Sequence, residues 1–413
     1  MEAVDQGVSQ SPTLKQSAQG IQSAIGDYEQ SDSQKNLKFV FQDESIVLSK
    51  QSLATTRQNT VSSQLSLTMQ ALLTTFGRVE NEIAAAFLQI DVATQQLELD
   101  RQDLVLNIKE SFFRRLQADE TLDVARQNLQ LTKQNLSDTN ALFNQGLAAK
   151  YDIVQAELQV VEAQQTVAQS VTSIGNTSIA LKTVLYDQGQ EPLQPVEPAS
   201  ATVAEGVDLD GLVALALQAR PEVVLVNKNI AVADKLLEAA YHESMPIVSM
   251  QAGYFDTIGS FLPTDTFGVN LSVSWSLWDG GLRDGRVKSA EAQVQALHDQ
   301  LDGLNAQVIQ DVTQAWLNFQ QSEFDLRTAE KQVETAAVFY EMARERFING
   351  LGTSLETQNA LQSLINARLD LAVTKYNREI VFSRLERALG TQFPDRVLKL
   401  SVLPSKGAPD AGS

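Results

Sequence analysis

The chain has 413 residues, a formal net charge of −19 and no cysteine. Its acidic charge argues against nucleic-acid binding, because contacts to phosphates require clustered lysine and arginine. The lack of cysteine excludes disulfides, thiol chemistry and cysteine-bound metal.

The sequence also lacks the features of a transmembrane helix, a signal peptide and an enzyme active site. No run of about 18 apolar residues occurs, and the N-terminus has no basic stretch followed by an apolar core. Phosphate-binding loops, histidine pairs and nucleophile motifs are missing as well. We therefore expect no enzymatic activity, no cofactor and no metal site. The chain is expected to be either cytoplasmic or a mature form whose leader is missing.

The sequence is a tandem duplication. Gly146-Leu147 recurs as Gly350-Leu351, an offset of 204 residues (350 minus 146). Nearer the start of each copy the offset is 209 residues. Repetition at a fixed offset indicates one structural unit used twice. We expect a first repeat over 1–186, a linker or equatorial segment over 187–209, a second repeat over 210–390, and an equatorial segment with a flexible tail over 391–413.

Each repeat is expected to contain an opening helix, a β-hairpin, a long helix and a return helix. Alternation of apolar and polar residues marks the hairpins, and heptad spacing interrupted by glycine marks the helices. In the first repeat the expected bounds are about 37–75 for the hairpin, 77–143 for the long helix and 148–186 for the return helix. In the second repeat they are about 246–278, 281–347 and 353–390.

The second strand of each hairpin has large apolar residues at every second position, separated by small or polar ones. These apolar positions are Leu65, Leu67 and Met69 in the first repeat, and Phe267, Val269, Leu271, Val273, Trp275 and Leu277 in the second. An alternating segment of about 11 residues is typical of a strand that crosses a bilayer within a β-barrel. The alternative is a half-buried hairpin on a soluble domain.

Four strands are too few for a membrane barrel, since the smallest such barrels need about eight. If the apolar residues face lipid, the chain must therefore oligomerise, and three copies would supply twelve strands. Trp275 and Trp278 lie near the end of the last strand, which leaves two interpretations open, interfacial anchors or a buried aromatic pair. We expect Gly77, Gly280 and Gly281 to form the strand-to-helix junctions.

The long helices carry no proline, and their length of about 65 residues corresponds to about 100 Å. A seven-residue spacing of apolar positions predicts a left-handed antiparallel coiled coil in each repeat. The predicted seam of the first long helix includes Leu122, Leu129, Leu136 and Phe143, and Arg378 interrupts the seam of the last helix.

Two acidic residues, Asp152 and Glu356, lie just past the glycines of the two helical hairpins and are equivalent after the shift of 204 residues. An acidic residue in the first turn of a helix is favoured by the helix dipole, which is the simpler explanation. The alternative explanation is a ring of carboxylates that lines a narrow pore.

These features resemble the TolC-type outer-membrane channel family, also called outer-membrane efflux proteins. The resemblance covers nearly the whole chain and matches both the order of elements and the duplication. Its motifs are the strand-to-helix junction at 273–281, the helical tips at 143–147 and 346–351, and the helix start at 220–222.

The resemblance implies a mainly α fold with membrane β: long antiparallel coiled-coil helices form a periplasmic α-barrel tunnel, and a homotrimer pools four strands per chain into a 12-stranded outer-membrane β-barrel. It implies contact with outer-membrane lipid, a periplasmic adaptor protein and an inner-membrane pump of the RND or ABC type, and no nucleic acid. The function implied is the passive exit duct of a tripartite efflux or type I secretion system in a Gram-negative-type bacterium. The missing signal peptide would then indicate a mature form.

By the same resemblance, Gly146, Leu147, Gly350 and Leu351 would dock the adaptor. Asp152 and Glu356 would line the pore constriction, together with Asn359 at a position where the family has a second acid. Gly352 occupies the place of a gating arginine found in some members. The remaining alternative is a soluble coiled-coil scaffold without channel activity, which predicts no trimer and no need for detergent.

Overall fold

The computed structural model describes residues 2–47, 61–187, 189, 195–198, 200, 202–203, 207–258, 264–391 and 397–398. The helices in chain order are α1 Glu2–Gln10, α2 Pro12–Asp32, α3 Arg78–Asn144, α4 Lys150–Leu185, α5 Leu209–Ala219, α6 Pro221–Tyr241, α7 Leu282–Ile348 and α8 Ser354–Leu389. The strands are β1 Lys38–Val47, β2 Val61–Thr74, β3 Thr202–Val203, β4 Ile247–Ile258, β5 Thr264–Ser274 and β6 Val397–Leu398. No helix among the described residues is both long and apolar enough to cross a membrane.

Three pairs of equivalent helices have equal lengths in the two repeats. Helices α2 and α6 each have 21 residues, α3 and α7 each have 67, and α4 and α8 each have 36. Both α2 and α6 begin with proline, which is well suited to the first helical position because its missing N–H has no partner there. The tandem-repeat fold and the long helices expected from the sequence are confirmed.

The four longer strands form one antiparallel sheet in the order β1-β2-β4-β5. Each hairpin pairs within itself, and β2 pairs with β4 to join the two repeats. Strands β1 and β5 are the sheet's two edges within the chain. Leu37, expected in the first strand, lies just before it.

Contacts divide the chain into two compact units, and each unit takes residues from both repeats. The first comprises Met1–Lys15, Glu98–Val223 and Leu304–Ser413, and the second comprises Gln16–Leu97 and Val224–Gly303. The sheet and the strand-to-helix junctions lie in the second unit. The helical tips lie in the first unit.

Within the first unit, the seam between α7 and α8 is apolar and buried. Its cluster consists of Tyr340, Ala343, Ala360, Leu361 and Leu364. Small residues alternate with large ones along it, so the two helix axes can approach closely. The heptad expected in the second repeat is therefore present.

The seam expected along α3 is confirmed at Leu122, which is buried, but the later buried positions lie one residue before the predicted ones. Asn128, Asn135 and Leu142 are buried, whereas Phe143 is exposed. Helix α3 packs against α8 as well as α4, for example where Phe113 contacts Tyr376. The buried face of α3 is therefore divided between α4 and α8. The heptad pattern alone predicted only the face that packs against α4.

Arg378, which interrupts the predicted seam of α8, is buried in an ion-pair network. Its guanidinium pairs with Glu323 of α7 and with Glu379, and it donates a hydrogen bond to Ser200 at 3.1 Å. About half of the predicted linker over 187–209, and most of the predicted segment over 391–413, lie outside the described residues. Within the described part, β3 and β6 form a short parallel pair that the sequence did not predict.

Candidate functional site

One face of the sheet is apolar across all four strands. Phe41, Leu67, Tyr254 and Phe267 are direct cross-strand partners and therefore share this face. The next row on the same face contains Phe39, Met69, Ala252 and Val269. The predicted set of apolar strand residues thus continues into β1 and β4.

The apolar face is exposed and the polar face is crowded. Phe267 and Val269 are 73% and 64% exposed, whereas Thr68 on the opposite face is 4% exposed. On the same polar face, an added β-carbon at Gly253 would lie 2.9 Å from the carbonyl oxygen of Leu67. The sheet therefore exposes apolar side chains that a soluble protein would normally cover, while Asn270 and Ser272 on its polar face are exposed as well.

The remaining predicted strand residues follow the same pattern. Leu271, Val273, Trp275 and Leu277 are all exposed, and Leu65 is half-buried. Trp278 is 87% exposed, and the indole N–H of Trp275 donates a hydrogen bond to the Ser244 carbonyl at 3.0 Å. The two rings are exposed in the single chain and do not pack as a buried pair within it.

The strand-to-helix junctions depend on glycine backbones with positive φ. Gly77, Gly280 and Gly281 have φ of 108°, 72° and 91°, where any other residue would be strained. The Asp279 carboxylate accepts hydrogen bonds from the backbone N–H groups of Arg283 and Gly281, both at 2.9 Å. These bonds hold the pKa of Asp279 below its usual value, and they satisfy N–H groups at the start of α7.

The first-repeat junction uses different side chains for the same purpose. The Thr75 hydroxyl accepts from the Val79 N–H at 3.0 Å, and the Glu80 carboxylate accepts from the Gly77 N–H at 3.2 Å. The ring of His242 covers Gly77, and an added β-carbon there would lie 3.1 Å from it. His242 is thus packed against the junction.

Both helical tips end in the same glycine turn. Gly146 and Gly350 have φ of 77° and 71°. The N–H groups of Leu147 and Leu351 reach back to the carbonyls of Leu142 and Arg346 at 2.9 and 2.8 Å, a hydrogen-bond pattern that terminates helices. Leu147 and Leu351 themselves are exposed at the tips.

The acidic residues beyond the tips act as helix caps within the single chain. The Asp152 carboxylate accepts from the Ala149 N–H at 2.8 Å. Glu356 donates its N–H to the Thr353 hydroxyl at 3.2 Å, and its carboxylate accepts from the Thr353 N–H, completing a capping box. Glu356 and Asn359 are exposed. Within the described residues, no group of three or more His, Cys, Asp or Glu side chains could hold a metal ion.

One contact between helices near the tips was not predicted from the sequence. Arg344 of α7 donates to the Asp138 carboxylate of α3 at 2.9 Å, which joins the two helical hairpins. Although burial opposes the charge, the Asp138 carboxylate raises the pKa of Arg344 above its ordinary value. The partners are far apart in sequence and follow no local pattern, so no sequence signal marks the pair.

The chain matches the model of one protein family, described as "Outer membrane efflux protein", over residues 3–185 and 212–391. It is 23% identical to the outer membrane protein TolC of Escherichia coli K12, over 75% of this chain and 66% of that protein. It is 25% identical to TolC of Vibrio cholerae, over 72% of this chain and 70% of that protein. It is also 20% identical to the outer membrane efflux protein BepC of Brucella suis, over 78% of this chain and 70% of that protein.

Solved structures of similar fold cover almost the entire chain. CusC superposes with a TM-score of 0.84 at 18% identity, over 95% of this chain and 92% of that one. The outer membrane protein VceC of Vibrio cholerae superposes with a TM-score of 0.80 at 18% identity, over 95% of this chain and 96% of that one. At this identity the likeness establishes the fold. Because the family model spans both repeats of the sequence, the chain belongs to the outer membrane efflux protein family.

Proposed function

We propose that this chain is the outer-membrane exit duct of a tripartite efflux or type I secretion system. It conducts substrates passively from an inner-membrane pump and a periplasmic adaptor to the cell exterior. The observation that carries the proposal is the exposed apolar face of the sheet, which is backed by a polar face that also reaches solvent along β5. Such a sheet fits lipid on one side and a water-filled lumen on the other.

The sheet's two edges support a homotrimer. Strands β1 and β5 end an open four-stranded sheet, and unpaired edge groups are costly in a bilayer because no water replaces the missing hydrogen bonds. Pairing β1 of one copy with β5 of the next would remove both edges, and three copies would close a 12-stranded barrel. In this barrel the proposed lipid-facing residues are Leu65, Leu67, Met69, Phe267, Val269, Leu271, Val273, Trp275 and Leu277.

The long helices supply the second half of the duct. Four helices per chain, α3, α4, α7 and α8, give twelve in a trimer, which we propose line a periplasmic α-barrel tunnel. Gly146-Leu147 and Gly350-Leu351 would dock the adaptor, because they present exposed leucines on rigid turns. The absence of a nucleotide-binding motif from the sequence fits a non-catalytic duct whose energy comes from a partner pump.

We further propose that Asp152, Glu356 and Asn359 line the constriction near the tips. The exposure of Glu356 and Asn359 is consistent with side chains that face a lumen. A capping role does not conflict with this position, since a carboxylate that caps its helix still carries its charge. Three copies would place six carboxylates near one axis and would favour cations.

The test is to purify the chain in detergent, measure its oligomer mass and record single-channel currents in a planar bilayer. We expect a trimer that conducts, with cation selectivity lowered in the double variant Asp152→Asn, Glu356→Gln. The matched control is Glu157→Gln, on an exposed position of α4. A monomer or dimer that stays soluble without detergent and does not conduct would overturn the proposal in favour of a helical scaffold.

A further inference from the structure

A cavity of about 270 Å³ lies between α3, α4 and α8 in the first unit. Its volume is close to the lower limit of about 300 Å³ for small-molecule sites. Helix α8 contributes an apolar wall that contains Leu361, Ile365 and Leu369, whereas most of the polar groups come from α3 and α4. An apolar wall combined with a few polar groups is the usual composition of a ligand site.

Two amide side chains in the cavity lining have buried atoms without a hydrogen-bond partner. Asn128 of α3 is only 3% exposed, and neither its side-chain oxygen nor its side-chain nitrogen has a partner among the described residues. The Oε1 atom of Gln159 on α4 is buried in the same lining and also has no partner there. Buried polar atoms of side chains nearly always have a partner. Three such atoms at one cavity therefore require a partner that the described chain does not supply.

The simpler explanation for a buried asparagine on a coiled-coil helix is that it fixes the register of the helices. That role requires a hydrogen bond across the helix interface, and the Asn128 side chain makes none in the described part of the chain. Asn135, two turns further along α3, is equally buried at 3% exposure but lies outside the cavity lining. Asn128 is therefore distinguished by its position at the cavity and not by its burial alone.

The other polar groups from α3 and α4 in the lining act mainly as acceptors. The hydroxyl groups of Thr132 and Thr166 donate to carbonyl oxygens four residues earlier in their own helices, at 3.2 and 3.0 Å. Their oxygen atoms can still accept a hydrogen bond. Glu162 adds a carboxylate, and the described residues that line the cavity include no lysine or arginine. The cavity therefore favours a ligand that donates several hydrogen bonds and carries a positive charge.

We propose that this cavity is a binding site for a small organic ammonium ion that also carries a hydroxyl group and an apolar group. An ammonium group has three N–H donors. They would meet the side-chain oxygens of Asn128 and Gln159 and the carboxylate of Glu162. The ligand hydroxyl would accept from the Asn128 side-chain nitrogen, and the apolar group would lie against Leu361 and Ile365. Because the cavity lies within one chain, this inference goes beyond the proposed duct and does not depend on the trimer.

The test is the binding of phenylethanolamine to the full-length protein in detergent at pH 7, measured by titration calorimetry with empty micelles as the blank. Phenylethylene glycol is the matched compound, because a second hydroxyl replaces the ammonium group and the ring is unchanged. We expect the amine to bind at least about tenfold more tightly than the glycol, because charge-assisted hydrogen bonds are stronger than neutral ones. Equal binding of the two compounds, or no binding of the amine at concentrations up to about 10 mM, would overturn the proposal.

A substitution at Asn128 tests the amide contact. Asn128→Leu removes both unpartnered atoms with little change in size, so it should weaken binding of the amine at least about tenfold. The matched variant Asn135→Leu makes the same change at an equally buried position outside the cavity and should alter binding less than about twofold. A folded Asn128→Leu protein that binds the amine as tightly as the Asn135→Leu protein would contradict the site.

Glu162→Gln tests the charge without altering a buried residue, since Glu162 is exposed. It should weaken binding of the amine about threefold and leave binding of the glycol unchanged, because an exposed ion pair contributes little. Glu157→Gln, at another exposed position of α4, is the control and should change neither. A preference for the amine that is unchanged in Glu162→Gln would contradict the ammonium contact. These measurements need no channel activity, so their failure would leave the proposed duct standing.

Discussion

Gly253 and Gly268 face each other across β4 and β5, but their surroundings differ. A β-carbon on Gly253 would lie 2.8 Å from a methyl group of Thr68 and 2.9 Å from the Leu67 carbonyl oxygen, whereas one on Gly268 would meet nothing within 4 Å. The crowding lies on the polar side of the sheet, next to the buried Thr68. Gly253 therefore allows β2 and β4 to approach closely on that side.

Gly253→Ala should destabilise the folded protein by about 1–3 kcal/mol, because both neighbours are backbone or β-branched and cannot move aside. Gly268→Ala is the matched control and should change stability by less than about 0.5 kcal/mol. The measurement is the shift in thermal unfolding of the detergent-solubilised protein. Equal effects at the two positions would show that the polar face is not crowded.

Glu222 at the start of α6 pairs with a cation from α8 of the same repeat. Arg387 donates to its carboxylate at 2.7 Å and also to Asp103 at 2.7 Å. Burial raises the pKa of Glu222, but the hydrogen bond and charge of Arg387 outweigh this effect and hold the pKa below the ordinary 4.5. A lowered carboxylate pKa contributes stability above the unfolded pKa, and this stability is lost as the pH falls through the folded value.

Glu222→Gln should therefore lower stability at pH 7 by about 1–3 kcal/mol, the range for a hydrogen bond to a charged group. The difference from the unmodified protein should shrink as the pH falls below 4.5, where the unmodified carboxylate becomes protonated. Thermal unfolding at several pH values between 7 and 3 measures this. A difference that is independent of pH would contradict the ionic contribution.

At the scale of elements, glycines at turns and glycines inside helices should behave oppositely. Gly350→Ala at the α7 tip should destabilise by about 1 kcal/mol, because the residue has a φ of 71°. Gly303→Ala inside α7 should stabilise by up to about 1 kcal/mol, since a β-carbon there meets nothing within 4 Å. Thermal unfolding of the detergent-solubilised variants checks both, and destabilisation by Gly303→Ala would indicate an unseen close contact.

Helices and strands with a clear periodic spacing of apolar residues were predictable from the sequence, as were elements repeated at a fixed offset. Alternation located β5 because one face is apolar from Phe267 to Val273, and the offset of 204 residues located α7 and α8 from α3 and α4. Contacts between distant elements were not predictable. The Asp138–Arg344 pair, the packing of His242 on Gly77 and the two-residue strands β3 and β6 depend on tertiary placement, which no local spacing encodes.

The burial of Asn128 shows why a heptad pattern alone does not predict which residues of α3 are buried. The pattern predicted that Leu129 would face the seam, yet Asn128 is 3% exposed, because α3 contacts helices on two sides. The capping roles of Asp152 and Glu356 were anticipated by their position in the first helical turn. Their role in a pore remains a prediction for the assembled molecule.

At the scale of the whole molecule, the central claim is that the sheet lies between lipid and water. The sheet's exposed apolar face, its crowded polar face and its two free edges all follow if three copies close a barrel around an aqueous lumen.

The most direct measurement is spin-label accessibility along β5 in the reconstituted protein. Single cysteines at Val269, Asn270, Leu271 and Ser272 would carry nitroxide labels, with no native cysteine to interfere. We predict that labels at 269 and 271 are accessible to oxygen from the lipid, and labels at 270 and 272 to a water-soluble nickel reagent. Uniform accessibility to the nickel reagent, or the reverse alternation, would contradict a membrane barrel with a water-filled lumen.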